Sequence, residues 1–563
     1  MSKTIYDNTN LAESYAGVTT PLTFSFVRSV YADAYRHFSR MMGVGEQTIT
    51  DEHELYEHMI AMIGGRLYYR LDLWYRLVSL LPGYRFNKGF FERMLGVPGD
   101  SSVGTARGSW RYFPRTFFQI LVIVVNFIFM GRLVRGFVSH FRTQYNAYAT
   151  TDLRLLSREE LATVYKQLCD ELVGVWRIPI ANDFAVMVST GVLGALGRGQ
   201  NEVAMYGALV QHARTPLISL DPGKRMYAIT QEIHKHPDLV SACKGSAGDR
   251  EILELLGTHD DYVVIAQMIQ AYIAEFGSRA PNELKLESET FTERPESVIA
   301  LLRAALDVSQ ALPHESAEFA PTGFSLPRRL LFRFFLGWAR KSIARREETR
   351  LCRSLIFGLA RRIFLVAGER LTDEGHIAES KDVFYLSVEE LFGTTNDVGD
   401  LAKKIIERKA AFQRYKESDM PQRIESEEDV HAIEVRLCIP VGKCQPHLSD
   451  HASLGGRVAS TGGNTEVSGT ALVLHEFDPN ASFHGKILVT AHTDPGWTIV
   501  FPLVRGLIVE RGGMLSHAAI VARELGIPCI VGVEGATRAM HTGALVRMNL
   551  ETGHITAEAN NQE

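Results

Sequence analysis

Two patterns of hydrophobic and polar positions divide this chain. From about residue 20 to about residue 415, apolar residues recur every three or four positions between short turns rich in Gly, Pro, Asn and Asp, which predicts helices. After about Met420 the pattern changes to β-branched, Gly-rich segments such as GTALVLHE, GKILVTAH and RGLIVERGG, which predict strands. We therefore expect a multidomain α + α/β protein, with a large, mostly α-helical region at residues 1–415, a linker at 416–435 and a second domain at 436–563.

The helical region contains several strongly periodic segments. The spacing predicts helices over residues 21–42, 53–62, 66–81, 158–175, 249–276, 295–312 and 328–371. The polar stretch KESDMPQRIESEED, which contains Pro421, is either a hinge for a moving domain or a charged loop without that role.

Composition narrows the class of protein. A length of 563 residues provides for roughly two to four domains. The 46% hydrophobic and 22% charged content is ordinary for a globular protein, and a net charge of −5 argues against general nucleic-acid binding. The six Cys form no CxxC pair and no zinc-like spacing, so we expect reduced thiols, no metal site and a cytoplasmic protein.

One stretch raises the question of a membrane. The N-terminus has no apolar segment of the kind found in signal peptides. Residues 116–131, TFFQILVIVVNFIFMG, form an apolar run of about 16 residues, which is short for a membrane span. We interpret it as a buried helix of the helical region and do not expect membrane insertion.

The richest candidate chemistry lies at residues 512–532, GGMLSHAAIVARELGIPCIVG. Gly512 and Gly513 predict a turn, Ser516 is a suitable N-cap, and the Gly526-Ile527-Pro528 sequence predicts a helix end followed by a strand at 529–533. His517 would then lie in the first helical turn. Free N–H groups at that end favour anions and disfavour a protonated ring, and a neutral imidazole is the form that captures a phosphoryl group.

This run resembles the mobile phosphohistidine domain of the PEP-utilising enzymes, the group that contains PEP synthase, pyruvate phosphate dikinase and rifampicin phosphotransferase. The resemblance implies a C-terminal β/β/α swivelling domain in which His517 accepts a phosphoryl group. Residues 484–502, HGKILVTAHTDPGWTIVFP, resemble a second segment of that domain and add Thr493 and Asp494 as candidate phosphate-binding or substrate-binding residues.

Blocks of the helical region also resemble this group's acceptor-binding region, at residues 10–26, 63–77, 276–295 and 380–391. In the third block Arg279 can hold phosphate oxygens and Glu283 can take a proton, although the two residues are equally able to pair at a helix start. Arg66 follows Gly64-Gly65 and is a second candidate anion ligand or a solvated side chain. Arg70 stands where relatives often have Asn, so the acceptor need not be inherited.

The helix predicted at 328–371 is rich in cations. Arg346 and Arg350 are four residues apart, so both would lie on one helix face and could meet an arriving phosphate. The alternative is a solvated face with local ion pairs.

No Walker A run or kinase-type glycine loop is visible in the sequence. The relatives charge the histidine with an ATP-grasp domain or use a TIM barrel that binds PEP. The resemblance therefore implies a split system, in which a separate ATP-grasp subunit binds ATP and Mg²⁺, releases AMP and inorganic phosphate, and phosphorylates His517. A PEP donor remains an alternative. So do a ligase component of the prodigiosin-forming type, a phosphocarrier or regulatory protein, and a degenerate relative that only binds ligand.

Overall fold

A computed structural model describes residues 4–81, 113–210, 221–306, 322–393, 398–418, 420–426 and 453–558. The chain divides into two compact units. The first comprises Met1–Val188, Leu284–Glu287 and Thr349–Lys443, and the second comprises Ser189–Glu283, Ser288–Glu348 and Cys444–Glu563. Both units draw on the predicted helical region, and the second also holds the sheet domain.

Up to residue 210, short strands alternate with helices of very different lengths. In chain order these are β1 (Thr4–Asp7), α1 (Pro21–Met41), α2 (Glu46–Asp51), α3 (His53–Glu57), β2 (Ile60–Ile63), β3 (Arg66–Arg70), α4 (Leu71–Ser79), α5 (Phe113–Thr150), α6 (Arg158–Leu168), α7 (Arg177–Leu196) and α8 (Glu202–Val210).

The middle of the chain is helical. Its helices are α9 (Asp221–Ile233), α10 (Pro237–Lys244), α11 (Asp249–Thr258), α12 (Val263–Phe276), α13 (Glu296–Ala305), α14 (Leu326–Asp373), α15 (Val388–Phe392) and α16 (Val398–Glu417).

Strands dominate the C-terminal part. They are β4 (Arg423–Ser426), β5 (Ser453–Gly455), β6 (Arg457–Ser460), β7 (Glu466–Leu474), β8 (Ile487–Thr490), β9 (Gly506–Val509), β10 (Cys529–Val531), β11 (Leu545–Asn549) and β12 (His554–Glu558), with helices α17 (His517–Leu525) and α18 (Ala536–Ala539) between them. The predicted combination of a large helical part and a C-terminal sheet domain is confirmed.

Most long helices follow the predicted periodicity. Helix α1 matches the prediction at 21–42, and α14 contains the whole of 328–371. The prediction at 158–175 corresponds to α6 followed by a π-helical turn, Cys169–Val173. The prediction at 249–276 is split into α11 and α12 by a 3-10 turn, Asp260–Tyr262. The prediction at 295–312 ends with α13, and residues 307–312 lie outside the described residues.

The helix predictions at 53–62 and 66–81 are partly wrong, because β2 covers the end of the first segment and β3 covers the beginning of the second. Gly64 and Gly65 have φ angles of +54° and +70°, which form a tight hairpin turn between the two strands. Buried residues on both faces of β3 removed the alternation of apolar and polar residues that identifies an exposed strand.

Part of the predicted linker belongs to the sheet of the first unit. This sheet has the order β2-β3-β1-β4, and β4 pairs antiparallel with β1. Ile424 is buried between polar neighbours, which is the alternation of a half-buried strand. Residues 416 and 417 end α16 and residues 423–426 form β4, so these parts are not a linker, while residues 427–435 lie outside the described residues.

The apolar run at 116–131 is not the buried helix that we expected. Among its large side chains, Ile120, Leu121, Val124, Val125, Ile128 and Phe129 are 43–71% exposed. The face of α5 that packs against the rest of the first unit combines apolar side chains such as Phe127 and Met130 with two amides. The Gln119 and Asn126 side chains donate to the carbonyls of Gly43 and Met41. These amides lie two helical turns apart, so the apolar stripe points away from them.

Two helical stretches in the described residues are long and apolar enough to cross a membrane, Gln119–Thr150 and Arg158–Leu196. Within the most apolar window of each, 17% and 56% of the residues are buried. Helices of this kind also occur in the cores of soluble proteins, so this finding alone does not establish a span.

A half-buried carboxylate links two segments of the first unit. Glu287 accepts hydrogen bonds from the hydroxyls of Thr20 and Thr23, at 2.9 and 2.6 Å, near the start of α1. The Thr23 hydroxyl also accepts from the backbone N–H of Leu286, at 2.9 Å. Residues 284–287 are thereby fixed to the N-terminal turn of α1.

The Thr23→Val variant tests this contact. It keeps the side-chain shape but removes one hydrogen bond from the half-buried Glu287 and one from the buried Leu286 N–H. We expect the free energy of unfolding to fall by about 1–3 kcal/mol, measured by urea denaturation. Thr50→Val, at an exposed position of α2, is the matched control. An equal effect of both substitutions would contradict this role for Thr23.

The second unit is built around an eight-stranded sheet of order β5-β12-β11-β7-β8-β9-β10-β6. The central strands β7, β8, β9 and β10 are parallel, and the outer pairings are antiparallel. Successive residues face opposite sides: Leu488 and Leu507 lie in one apolar cluster, and Val489 and Ile508 lie in another. The first cluster also includes residues of α9 to α13 and α17, so one sheet face is covered by helices.

Candidate active site

His517 is the first residue of α17, as the sequence predicted. Ser516 is the N-cap, and its hydroxyl accepts from the backbone N–H of Ala519 at 3.4 Å. Before it, Gly512 has a φ of +118°, and after the helix Gly526 has a φ of +63°, so both ends use conformations that favour glycine. The His517 side chain is 7% exposed.

A buried Arg holds the loop before His517 in place. Arg523 donates to the carbonyls of Ala459 and Met514, at 2.7 and 2.5 Å. Burial lowers the pKa of Arg523 to about 10, so the side chain remains a cation at neutral pH. Its contacts tie the loop that contains Gly513 and Met514 to β6 and limit how far Ser516 and His517 can shift.

Each ring nitrogen of His517 faces a different partner. Nε2 lies 3.0 Å from the Thr498 hydroxyl. Nδ1 lies 3.7 Å from a carboxylate oxygen of Glu347, a fully buried residue of α14. The second distance is too long for a hydrogen bond but short enough for a strong electrostatic effect in a buried setting.

This arrangement favours one tautomer. A carboxylate beside Nδ1 stabilises a proton on that nitrogen, and the Thr498 hydroxyl can donate to an unprotonated Nε2. Nε2 then carries the lone pair. The nitrogen suited to attack a phosphorus atom is therefore Nε2.

A second carboxyl group lies near Glu347. Burial raises the pKa of Glu524, in the last turn of α17, to about 8, and the charge of Glu347 adds to the effect while Lys224 opposes it. Glu524 is therefore largely protonated at neutral pH. Burial and the neighbouring charge thus oppose the ionisation of both carboxyl groups at once.

Thr498 is positioned by Asp494. The Asp494 carboxylate caps the 3-10 helix Pro495–Ile499 by accepting from the Gly496 N–H at 2.8 Å. Its other oxygen accepts from the Asn282 N–H at 2.7 Å. Asn282 has a φ of +60°, and a Cβ on Gly496 would lie 2.5 Å from the Pro281 nitrogen. The loop at 277–283 and the loop at 491–498 are thus in close contact.

This contact brings four predicted residues together. Burial raises the pKa of Asp494 to about 7, with a further increase from the charge of Glu283, while the Asn282 and Gly496 N–H groups and the charge of Arg279 lower it. Thr493 is the preceding residue and is also buried. Arg279, Glu283, Thr493 and Asp494 were proposed from two sequence blocks about 200 residues apart, and the contact between the two loops brings these blocks together.

Arg279 is the least satisfied member of the cluster. It is 3% exposed, and its Nε lies 3.6 Å from Glu283. Among the residues that the structure describes, none of its three guanidinium nitrogens has a hydrogen-bond partner, and neither does the Thr493 hydroxyl. A buried guanidinium without acceptors is energetically costly, and phosphate oxygens are the acceptors that it fits best.

The other predicted cations have different surroundings. Arg66, in the first unit, donates to the carbonyls of Gly64, Tyr415 and Ser418, so its guanidinium is engaged by backbone at the end of α16. Arg346 is half-buried in the second unit, directly before Glu347. Arg350 is half-buried and belongs to the first unit.

Sequence reasoning missed Glu347 and Thr498. Glu347 lies within the cation-rich segment, where it was interpreted as a local ion-pair partner. Thr498 lies inside the second recognised segment of the mobile domain, but no spacing rule distinguishes it from its neighbours. Only the tertiary contact with His517 reveals either residue.

No group of three His, Cys, Asp or Glu side chains in the described residues is arranged to hold a metal ion. Four of the six Cys are described, and these residues, Cys169, Cys243, Cys352 and Cys529, are free thiols.

Two family models match the chain. Residues 483–553 match the PEP-utilising enzyme mobile domain, and residues 180–347 match the fourth domain of rifampicin phosphotransferase. The chain therefore contains the mobile domain of PEP-utilising enzymes, and the predicted resemblance is confirmed. The contact between His517 and Glu347 joins the two matched segments.

Curated relatives agree with these matches. The chain is 27% identical to the rifampicin phosphotransferase of Streptomyces sviceus over 368 residues, which cover 60% of this chain and 39% of the relative. It is 27% identical to that of Bacillus cereus over 376 residues, covering 63% and 41%, and 25% identical to that of Bacillus subtilis over 358 residues, covering 60% and 40%. The chain thus spans about two fifths of the length of these relatives.

The Asp494→Asn variant tests the protonation of the cluster. The pKa of Asp494 is about 7 in the folded protein and has its ordinary value of 3.8 in the unfolded chain. Between these two pH values the folded state keeps a proton that the unfolded state has lost, so the free energy of unfolding falls as pH rises through this window. Asn stays neutral but can no longer accept with both side-chain atoms. We expect the variant to be less stable than wild type by about 1–3 kcal/mol near pH 5, with a smaller deficit near pH 8.

Urea denaturation at the two pH values measures this difference. Asp478→Asn, an exposed position in the same domain that also accepts a backbone N–H, controls for the loss of one carboxylate. A deficit that grows with pH would contradict a protonated Asp494.

Proposed function

We propose that this chain is a phosphotransferase component in which Nε2 of His517 carries a phosphoryl group to a small-molecule acceptor bound in the helical region. One observation carries the proposal: a buried histidine begins a helix, has its Nδ1 beside a carboxylate, and has its Nε2 toward a hydroxyl. The matches to the mobile domain and to rifampicin phosphotransferases support it. We place the reaction in the cytoplasm.

Capture of the phosphoryl group needs little rearrangement of charge. The donor P–O bond breaks as the Nε2–P bond forms, and the donor oxygen leaves with the electron pair. The ring then carries a positive charge, with its proton on Nδ1 beside Glu347. The backbone N–H groups at the start of α17 stabilise the negative charge on the phosphoryl oxygens. The phosphoryl group takes the place of the Thr498 hydroxyl beside Nε2.

The proposed donor is ATP, bound with Mg²⁺ on a separate ATP-grasp subunit, which yields AMP and inorganic phosphate with the uptake of one water. This part of the proposal extends the resemblance to the PEP-utilising enzymes. PEP is the alternative donor, and the first experiment below distinguishes the two.

Delivery of the phosphoryl group breaks the N–P bond at Nε2. An acceptor hydroxyl oxygen attacks phosphorus, the N–P bond breaks and its electron pair returns to Nε2. Glu283 takes the hydroxyl proton, and the Arg279 guanidinium binds the phosphoryl oxygens as their charge redistributes. Asp494 and Thr498 are four residues apart along one 3-10 helix, roughly 8 Å by its rise per residue, so the Arg279 cluster lies within a short distance of His517.

A labelling experiment tests whether His517 carries the phosphoryl group. Incubation with β-³²P-ATP and ATP-grasp proteins of the same host should place acid-labile label on the wild-type chain and none on His517→Ala. His541→Ala, at an exposed histidine of the same domain, is the matched control and should accept label like wild type. Labelled PEP is tested in parallel.

Different outcomes separate the remaining functions. Label that passes to a metabolite as a phosphate ester supports a phosphotransferase, whereas release of phosphate with formation of a new bond between two substrates supports a ligase. Label that stays on the protein in the presence of metabolite extracts supports a phosphocarrier. Absence of label from both donors would overturn the proposal.

The second prediction concerns Arg279. Its unsatisfied guanidinium should bind inorganic phosphate, so phosphate should raise the thermal unfolding midpoint of wild type above that in chloride at equal ionic strength. Arg279→Gln should raise the Kd for phosphate about ten-fold or more. Arg523→Gln also removes a buried Arg, but one whose guanidinium is used by carbonyls, and it should retain the phosphate-dependent rise. Equal loss in both variants would argue against Arg279 as the ligand.

A further inference from the structure

The beginning of α14 exposes a stripe of large apolar side chains. Leu326, Leu330, Leu331 and Phe334 are 70%, 58%, 46% and 64% exposed. At 100° per residue they lie at about 0°, 40°, 140° and 80° around the helix, so they form one continuous arc. We refer to these four residues as the α14 stripe.

The stripe is exposed because the opposite side of α14 holds the helix to the second unit. Phe332, Ala339 and Ile343 are buried, and they lie at about 220° to 260° on the same scale. Arg328 donates to the Leu196 carbonyl, and Arg340 donates to the Ala208 carbonyl. The helix is therefore fixed in orientation, and the stripe is not available to the core of its own unit.

Cations border the stripe, and no acidic residue lies near it in sequence. Between Leu326 and Lys341 the chain has five Arg and Lys residues and no Asp or Glu, and the first acidic residue is Glu347. Arg329, Arg333 and Lys341 are exposed. Arg329 and Arg333 lie at about 300° and 340°, directly beside the apolar arc. This local charge is opposite in sign to the net charge of −5 for the whole chain.

Aromatic rings extend the stripe along the helix. Phe334, Phe335 and Trp338 contact one another, with ring centroids 5.3 to 6.5 Å apart. Phe335 and Trp338 are half-buried. Aromatic rings of this kind favour the boundary between hydrocarbon and headgroups, because they present an apolar body next to a polar edge.

We propose that the α14 stripe binds the surface of an anionic lipid bilayer, with the helix lying in the plane of the interface. Leu, Phe and Trp side chains on one arc and Arg and Lys beside it are the features of an interfacial helix. The apolar arc enters the boundary of the acyl chains, and Arg329, Arg333 and Lys341 meet lipid phosphates. This association is peripheral and concerns a different helix from the apolar run at 116–131.

An acidic protein surface is the other chemistry that such a face attracts. The bilayer fits better because the arc is convex and follows a single helix, and because the indole N–H of Trp338 is the only uncharged hydrogen-bonding side-chain group in the sequence between Leu326 and Lys341. Protein interfaces combine apolar anchors with polar groups that form specific hydrogen bonds.

Cosedimentation of the full chain with vesicles tests the proposal. Vesicles of phosphatidylcholine mixed equally with phosphatidylglycerol should bind wild type about ten-fold or more tightly than pure phosphatidylcholine, and added salt should weaken the binding. Leu330→Ser/Phe334→Ser and Arg329→Glu/Arg333→Glu should each reduce binding to the anionic vesicles about ten-fold or more. Ile406→Ser, at another exposed apolar residue, should bind like wild type.

The variants also separate this surface from the phosphoryl site, since all of them should accept label on His517 as wild type does. Failure of wild type to bind anionic vesicles, or undiminished binding by both double variants, would overturn the proposal. Loss of binding in Ile128→Ser/Phe129→Ser alone would place the lipid contact on α5 and equally overturn it. If wild type ignores vesicles but forms a complex with an ATP-grasp protein that the double variants abolish, the stripe is a protein interface instead.

Discussion

The carboxyl group of Asp494 is the contact on which the rest of the site depends. It accepts one backbone N–H from the loop that contains Arg279 and Glu283, and another from the 3-10 helix that contains Thr498. The first hydrogen bond fixes the loop that carries Arg279 and Glu283, and the second fixes the Thr498 hydroxyl that faces His517. Its burial keeps this carboxyl group largely neutral below about pH 7, so the two loops approach without a second full negative charge beside Glu283.

Local sequence signals were sufficient to predict that His517 lies in the first turn of a helix. The N-cap Ser516, the helical spacing and the Gly526 stop are short-range features, and each specifies backbone geometry directly. The resemblance to the PEP-utilising enzymes added the chemistry. Glu347 could not be found in the same way, because its contact with His517 joins positions far apart in the chain and depends on how α14 packs. No periodicity records such a pairing.

The same distinction applies to the fold. The period of the apolar residues predicted α1 and α14 because the spacing of apolar residues in a long helix is visible within a short sequence window. The β1–β4 pairing joins distant segments, and it placed within a sheet a stretch that composition alone described as a linker. The apolar run of α5 was correctly predicted to be a helix, but its most apolar side is exposed, and two amides lie on the side that packs against the protein. Hydropathy measures how apolar a segment is and not which of its sides faces the core.

The burial of His517 bears on the timing of any reaction cycle. With 7% of its side chain exposed, His517 cannot meet a donor on another protein until the mobile domain separates from the helices that cover it. Trp497 and Phe501, which share an apolar cluster with those helices, would be transferred to water in the process. Conformational steps of this kind limit the turnover of many enzymes, and the proposed cycle would contain one such undocking step in each turnover.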